Sequence, residues 1–258
     1  MLVPPDRIAF YIGNYPVMKY GITMGIAIFT ALYFILLFRK KYFEDISEDT
    51  LLDLSFYVII GGIAGARLWY VLLNFGYYFS HLNEILLVNH GGISIQGAIT
   101  GGIITGFIYV KLNKLNFLKL ADLYALVIPI GQAIGRWGNF FNSEAFGKPC
   151  EFFWKMYILP QYRPSEYKNY EYFHPTFLYE SIADLLIFFV LFFFLRKKFQ
   201  NKDGLLFFSY LIIYSSIRIL IEFIRIDSVL NICSVPVAAV VSFLTIIISL
   251  LILYKIKR

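Results

Sequence analysis

The 258-residue chain is 59% hydrophobic and 19% aromatic, and only 16% of its residues are charged, against about 25% in an average soluble protein. A soluble domain of this composition would expose too much apolar surface, so an ordinary soluble fold is excluded and a polytopic membrane protein is indicated. The net charge of +6 does not indicate a nucleic-acid partner, because the basic residues are grouped in a few short segments.

Seven apolar stretches are long enough to cross a bilayer as helices, which takes roughly 17–25 residues. Helices are favoured because hydrocarbon offers no partner to backbone N–H and C=O groups. We therefore predict an all-α polytopic membrane protein, organised as a single integral membrane domain over 1–258. The predicted spans, in chain order, are 22–38, 54–73, 93–110, 123–141, 177–195, 205–224 and 235–254.

The basic segments follow alternate spans. By the positive-inside rule this side is cytoplasmic, so we expect the N-terminus outside and the C-terminus inside. Residues 1–19 lack a basic start followed by an apolar core, and we expect no cleavable signal peptide. The residues that set this orientation are Arg39, Lys40, Lys41, Lys111, Lys114, Lys119, Arg196, Lys197, Lys198, Lys202, Lys255, Lys257 and Arg258.

The second and third spans are rich in glycine at small-xxx-small spacing, which is typical of closely packed membrane helices. We interpret these glycines as packing residues, although some of them would also widen a path for a lipid head group. The two sets are Gly61, Gly62 and Gly65, and Gly97, Gly101, Gly102 and Gly106.

The longest segment outside the spans is 142–176, a polar stretch with several tyrosines and prolines. We expect an extracytoplasmic loop or small head with short helices, because long ordered loops often carry function. Both cysteines, Cys150 and Cys233, fall on the outer side in this topology, where oxidising conditions permit disulfides. Sequence establishes no geometry for a bridge, and we expect two unpaired cysteines.

Charged groups inside spans must pair or face a wet cavity, and the sixth span carries the most instructive set. Tyr214, Arg218, Glu222 and Arg225 lie at i, i+4, i+8 and i+11, within about 80° of one helix face. One carboxylate does not neutralise two arginines, so we expect a surplus of positive charge. With Arg136 from the fourth span, this surplus suits an anionic ligand such as a phosphate, which arginine binds through paired donors.

Residues 135–147 end the fourth span with a dense run of polar residues and glycines. This run resembles the signature of the prolipoprotein diacylglyceryl transferases, G-R-x-G-N-F-x-N-x-E-x-x-G. Every fixed position of that pattern is filled, by Gly135, Arg136, Gly138, Asn139, Phe140, Asn142, Glu144 and Gly147.

Further motifs extend the resemblance from about residue 20 to about residue 230. The late-helix pattern Y-x-x-x-R-x-x-x-E-x-x-R is filled by the sixth-span residues above, and Asp122 and the Gly-Ala-Arg-Leu stretch around Arg67 also match. The remaining matches are Tyr20 and Gly21 of the first span, and the group His174, Pro175, Tyr179 and Glu180.

The resemblance implies transfer of the sn-1,2-diacylglyceryl group of phosphatidylglycerol to the lipobox cysteine thiol of a prolipoprotein, in the bacterial cytoplasmic (inner) membrane. The products are a thioether and glycerol 1-phosphate, and no metal or organic cofactor is expected. It implies catalytic roles for Arg136, Arg218, Gln96 and Glu144. The implied substrate-binding residues are Arg136, Asn139, Asn142, Tyr20, Tyr214, Glu222, Arg225, His174 and Glu180.

One position departs from the family pattern. Many relatives have a histidine in the third span, considered as a base, where this chain has Gln96. An amide has no usable proton affinity near neutral pH, but it can bind a head group. Either electropositive surroundings lower the pKa of the substrate thiol, or another group such as His90 or His174 accepts its proton.

Three other classes remain open at this stage. A transporter or channel for an anion or a lipid would also bury arginines, but the chain has no inverted repeat or matched broken helices. A CDP-alcohol phosphotransferase would need an aspartate-rich metal-binding motif, which this chain lacks. A purely structural scaffold is disfavoured by the density of the 135–147 signature.

Overall fold

A computed structural model of the chain describes residues 1–86, 92–199, 202–226, 231–232 and 235–257. Within these ranges, seven helices are long and apolar enough to cross a membrane, which confirms the predicted all-α polytopic fold. They are α1 (Lys19–Tyr42), α2 (Glu48–Leu73), α4 (Ile95–Leu112), α5 (Phe117–Phe141), α6 (Thr176–Phe189) with its continuation through the π-helical Val190–Leu195 into α7 (Arg196–Phe199), α8 (Leu205–Glu222) and α9 (Val237–Lys257). A short α3 (Phe75–Ser80) follows α2. The sides on which the termini lie stay a prediction.

Two helices begin well before the apolar stretches that predict them, α2 at Glu48 and α5 at Phe117. In α2 the reason is visible in the first turn. The Ser47 side chain accepts a hydrogen bond from the Thr50 backbone N–H at 3.0 Å, and Glu48 and Asp49 complement the positive end of the helix dipole. The capping bond and the acidic residues thus extend α2 over polar residues, which a hydropathy pattern does not predict to be helical.

The chain divides into two compact units, residues 36–120 and residues 1–35 with 121–258. The prediction of a single domain concerns the whole chain and stays a prediction. In the 36–120 unit, α2 packs closely along α4, with Gly61 and Gly65 facing Gly97 and Gly101. A Cβ built on Gly65 would lie 2.8 Å from the Gly101 Cα, so this contact requires glycine and the packing interpretation is confirmed.

Gly65→Ala is expected to destabilise the protein by about 1–3 kcal/mol, because the added methyl meets backbone rather than a movable side chain. Gly102→Ala is the matched control, since a Cβ there lies 3.5 Å from Val58, an ordinary contact. Thermal unfolding of both variants in detergent checks this. Equal midpoints for the two variants would show that the close approach of α2 and α4 does not limit stability.

In the other unit, α8 packs against both α6 and α9. Within the described residues of this unit, the segments outside the spanning helices form three two-stranded antiparallel sheets. They are β1 (Ile8–Ile12) with β2 (Tyr15–Met18), β3 (Met156–Tyr157) with β4 (Tyr172–Phe173), and β5 (Asn231–Ile232) with β6 (Val235–Pro236). Leu2 bridges to Met156 in parallel, so the start of the chain adds to the β3–β4 hairpin. The 142–176 segment also carries the two short 3₁₀ helices Pro160–Tyr162 and Ser165–Tyr167, in line with the expected short helices.

The 142–176 segment is anchored by its own apolar core. That core holds the segment onto the end of α5 and the start of α6, and thereby fixes the turn that follows Arg136. Its buried members are Phe140, Ala145, Phe146, Met156, Ile158, Phe173 and Phe177.

Asp122 fixes the start of α8 from a distance of 82 positions in the sequence. Its buried carboxylate accepts hydrogen bonds from the backbone N–H groups of Gly204 at 2.7 Å and Phe207 at 2.8 Å. These N–H groups have no partner within the helix, so Asp122 acts as an N-cap supplied by another helix. It therefore ties α5, which carries Arg136, to α8, which carries Arg218.

Candidate active site

Three arginines converge on one buried carboxylate. Glu180 lies in the second turn of α6 with only 4% of its side chain exposed. Its Oε2 contacts Nη2 of Arg136 from α5 and, at 3.2 Å, Nη1 of Arg218 from α8. Its Oε1 lies 3.2 Å from Nη1 of Arg225. Helix α8 ends at Glu222, so Arg225 lies just beyond that helix. Glu180 is thus the centre of the ionic network.

Two further carboxylates complete the network. Glu222 Oε2 lies 2.7 Å from Arg218 Nη2, and Asp184 Oδ2 lies 3.8 Å from Arg136 Nε. The prediction of a surplus of positive charge is therefore wrong. Helix α6 contributes Glu180 and Asp184, so three carboxylates face three guanidinium groups. The predicted surplus counted only the charges of the α8 face and Arg136, and left out the two carboxylates of α6.

A small cleft borders this network. Arg136 Nη2 donates to the Tyr214 hydroxyl at 3.3 Å, and the Tyr210 hydroxyl donates to Gln132 Oε1 at 3.0 Å. The arginine side chains keep 15–19% of their surface accessible, whereas the carboxylates are nearly closed off at 2–4%. The cleft is lined by Glu180, Asp184, Tyr214, Ile217, Arg218 and Ile221.

The signature turn after α5 holds an exposed carboxylate between two amides. Asn139 Nδ2 donates to Glu144 Oε2 at 3.4 Å, and Asn142 Nδ2 donates to Glu144 Oε1 at 3.3 Å. Ser143 and Ala145, on either side of Glu144, have positive φ values of 56° and 55°. Non-glycine residues adopt this conformation rarely, and it persists only where the surroundings enforce it.

Tyr20 packs against the signature turn. Its ring lies against Gly138, where a Cβ would come within 2.8 Å of Tyr20 Cδ2. Its hydroxyl lies within electrostatic range of both Glu144 and Arg136. The glycine of the signature therefore makes room for the aromatic ring.

His174 lies in the loop before α6, where its ring is polar on one side and packed on the other. Its Nδ1 is 3.0 Å from the Tyr179 hydroxyl, which accepts a hydrogen bond from Trp154 Nε1 at 2.8 Å. Phe152 packs against the imidazole with ring centroids 5.5 Å apart. Burial lowers the pKa of His174 below its ordinary value, so the ring is neutral at pH 7.

The remaining predicted residues belong to the 36–120 unit or lie outside the described residues. Gln96 is exposed in the first turn of α4, where its Oε1 accepts a hydrogen bond from Ser94 Oγ at 2.6 Å. Arg67 donates to the backbone carbonyls of Glu84, Ile85 and Gly92, and thereby holds these three residues beside α2. His90 and Cys233 lie outside the described residues, so the cysteine pairing stays a prediction.

The fold and the site define a multi-pass helical membrane protein. It has a buried arginine–carboxylate centre and, after α5, the polar signature turn that carries Glu144. A sequence model of the prolipoprotein diacylglyceryl transferase family matches residues 7–255. The chain belongs to this family, as the signature predicts.

Curated relatives carry the same family name. The Thermotoga maritima phosphatidylglycerol–prolipoprotein diacylglyceryl transferase is 47% identical over 229 residues, covering 87% of this chain and 76% of the relative. The Thermotoga petrophila protein of the same name is 46% identical over 227 residues, with the same coverage. The Acaryochloris marina protein of that name is 42% identical over 257 residues, covering 98% of this chain and 93% of the relative.

Proposed function

We propose that this chain transfers the sn-1,2-diacylglyceryl group of phosphatidylglycerol to the thiol of a prolipoprotein lipobox cysteine, with the arginine–carboxylate centre as its phosphate site. The cysteine sulfur attacks the carbon of the diacylglyceryl group that is bonded to a phosphate oxygen. The C–O bond breaks, its electron pair leaves on the phosphate oxygen, and the thiol proton passes to a base. The products are a thioether-linked prolipoprotein and glycerol 1-phosphate.

The observation that carries this proposal is the convergence of Arg136, Arg218 and Arg225 on Glu180. Negative charge grows on the leaving phosphate, and donors that are already oriented stabilise it without reorganising. A guanidinium has five N–H donors, and Glu180 and Glu222 contact only Nη1 and Nη2 of Arg218. The carboxylates thus orient the Arg218 guanidinium and leave its other N–H groups for phosphate oxygens.

The other residues divide by position. Arg136 and Arg218 act on the leaving phosphate, and Arg225, beyond the end of α8, steers the head group or the entering peptide. Tyr20, Tyr214 and Asn139 bind the head group. Asn142 orients Glu144, which acts at the reacting groups. The resemblance implies that Gln96 binds the head group through its amide.

The location of the reaction follows from the charge distribution. The positive-inside rule puts the 142–176 segment outside, so the signature turn faces the outer leaflet of the bacterial cytoplasmic membrane, where an exported peptide meets lipid. The partners are then phosphatidylglycerol, the lipobox region of the prolipoprotein signal peptide and membrane lipid, with no nucleic acid. Labelling of single-cysteine variants in the 142–176 segment by a membrane-impermeant maleimide in intact cells tests this side.

Gln96→Ala is expected to raise the KM for phosphatidylglycerol about tenfold with little change in kcat, because it removes one hydrogen bond to a charged ligand. The matched control is Thr100→Ala, one turn along α4, where the hydroxyl bonds only to the Gln96 carbonyl in the described contacts. Steady-state kinetics with a lipobox peptide measure both variants. Activity of Gln96→Ala equal to that of the wild type would remove the binding role of this amide.

His174 is expected to make stability depend on pH below about 7. Because burial lowers its pKa in the folded state, the unfolded chain binds the proton more readily, and stability falls as pH drops below the ordinary value of about 6.5. Thermal midpoints of wild type and His174→Gln across this range test the sign. The wild type should lose more stability on acidification, and parallel curves would contradict the burial effect. The same variant with full activity would also exclude His174 as the base.

Purified protein in detergent, given phosphatidylglycerol and a lipobox peptide, tests the proposed reaction. The proposal predicts release of glycerol phosphate that requires the peptide cysteine, and none with a Cys→Ser peptide. The transporter alternative predicts no release, together with flux of anion or lipid across liposomes that contain the protein.

A further inference from the structure

The segment that precedes α1 reaches the signature turn through one side chain, Arg7. Its Nη2 donates to the backbone carbonyl of Asn142 at 2.5 Å, and its guanidinium lies over the ring of Tyr162, 4.0 Å from the centroid. Stacking on the Tyr162 ring orients the planar guanidinium of Arg7, so that one of its N–H groups points at the Asn142 carbonyl. Arg7 thus joins two parts of the chain that are 135 positions apart.

The backbone that Arg7 contacts is the strained part of the signature turn. Asn142 directly precedes Ser143, the first of the two positive-φ residues around Glu144. On the other side of Glu144, the carbonyl of Ala145 accepts from Thr176 Oγ1 at 2.6 Å and from the Phe177 backbone N–H at 2.8 Å. The turn is therefore held from both sides, by the first turn of α6 and by Arg7.

The main chain of Arg7 also secures the start of α1. Its carbonyl accepts a hydrogen bond from the Lys19 backbone N–H at 2.9 Å, and Lys19 is followed by Tyr20, whose ring packs on Gly138. Arg7 consequently contacts the two structures that meet beside Glu144: the signature turn through its side chain and the Tyr20 end of α1 through its backbone.

We propose that Arg7 is a positioning residue that sets the conformation of the Asn142–Glu144 turn and, through it, the placement of the Glu144 carboxylate. It acts through the turn without touching substrate. This inference rests on the proposed function, in which Glu144 serves the transfer step. Lysine is a poor substitute, because a single ammonium lacks the planar fork that stacks on Tyr162 while bonding to the carbonyl.

Arg7→Met is expected to lower kcat about tenfold and to leave the KM for phosphatidylglycerol within twofold, since the phosphate site is built by other residues. Arg7→Lys should lose several-fold in kcat while keeping the charge, and it carries the test if Arg7→Met does not fold. Arg163→Met is the matched control. Arg163 also donates to backbone carbonyls, those of Ile158 and Lys168, and lies over a tyrosine ring, but it contacts no residue of the signature turn in the described structure.

The decisive readout is a double-variant cycle with Glu144→Gln. If Arg7 acts by placing the Glu144 carboxylate, Arg7→Met should change kcat less than twofold once that carboxylate is gone. The inference would be overturned if the kcat losses of Arg7→Met and Glu144→Gln multiplied in the double variant. It would also be overturned if Arg7→Met kept kcat within twofold of wild type, or if Arg163→Met lost as much kcat as Arg7→Met. An inactive wild-type enzyme would overturn the proposed function and the inference with it. An active wild type with a fully active Arg7→Met would overturn only the inference.

Discussion

Arg136→Lys is expected to lower kcat by about 10²–10³-fold in a protein that still folds, the range seen when an oriented donor to developing charge is removed. Nη2 of Arg136 contacts both Glu180 and Tyr214, while its Nε faces Asp184. A lysine keeps one positive charge next to Glu180 but does not make these contacts together, nor does it present paired donors to a phosphate. The loss should therefore appear in the transfer step.

Single-turnover kinetics with saturating lipid, alongside thermal unfolding, check this expectation. Arg163→Lys in the 142–176 segment is the control, because Arg163 donates hydrogen bonds to backbone carbonyls and is not one of the three arginines of the ionic network. If Arg136→Lys keeps kcat within threefold of wild type, the guanidinium of Arg136 does not stabilise the leaving phosphate.

Glu180→Gln is expected to produce the largest loss of stability, about 3–5 kcal/mol, as when one member of a buried ionic network is removed. The substitution leaves two carboxylates, Asp184 and Glu222, for three buried guanidinium groups. Activity should fall as well, because the arginines lose the group that orients them. Adding Arg225→Gln restores the balance of charge, so the double variant should be more stable than the sum of the single effects predicts.

Chemical or thermal unfolding in detergent measures this series. Glu151→Gln is the control, since that carboxylate pairs with Lys155 at the surface with 82% of its side chain exposed, where an ion pair contributes roughly 0–1 kcal/mol. A Glu180→Gln protein as stable as Glu151→Gln would contradict the role of Glu180 as the centre of the network.

The spans could be predicted from the sequence because membrane helices depend on local composition. Long apolar runs locate α1, α2, α4, α5, α6, α8 and α9, and the basic clusters suggest an orientation. The glycine contacts of α2 and α4 were likewise predictable from spacing, since close approach requires a missing side chain. The hairpin β1–β2 was not predicted, because its exposed aromatic residues resemble an irregular interfacial segment.

The candidate site was predictable residue by residue but not as a balanced set. The face of α8 and the signature give Arg218, Glu222 and Arg136, yet the pairing partners come from another helix. Asp184 lies one turn after Glu180 on α6, and that i,i+4 spacing is the signal that would have placed it in the network. Arg7 carries no such signal, because its contact with Asn142 joins distant parts of the chain through a backbone carbonyl.

The most direct test of the transferase assignment is mass spectrometry of a lipobox peptide after incubation with phosphatidylglycerol and the purified protein. We expect a peptide that gains one diacylglyceryl group on its cysteine, in a one-to-one ratio with released glycerol phosphate, and almost no such product with Arg136→Lys. An unmodified peptide with the active, folded wild-type preparation, or a modified peptide formed equally well by Arg136→Lys, would contradict it.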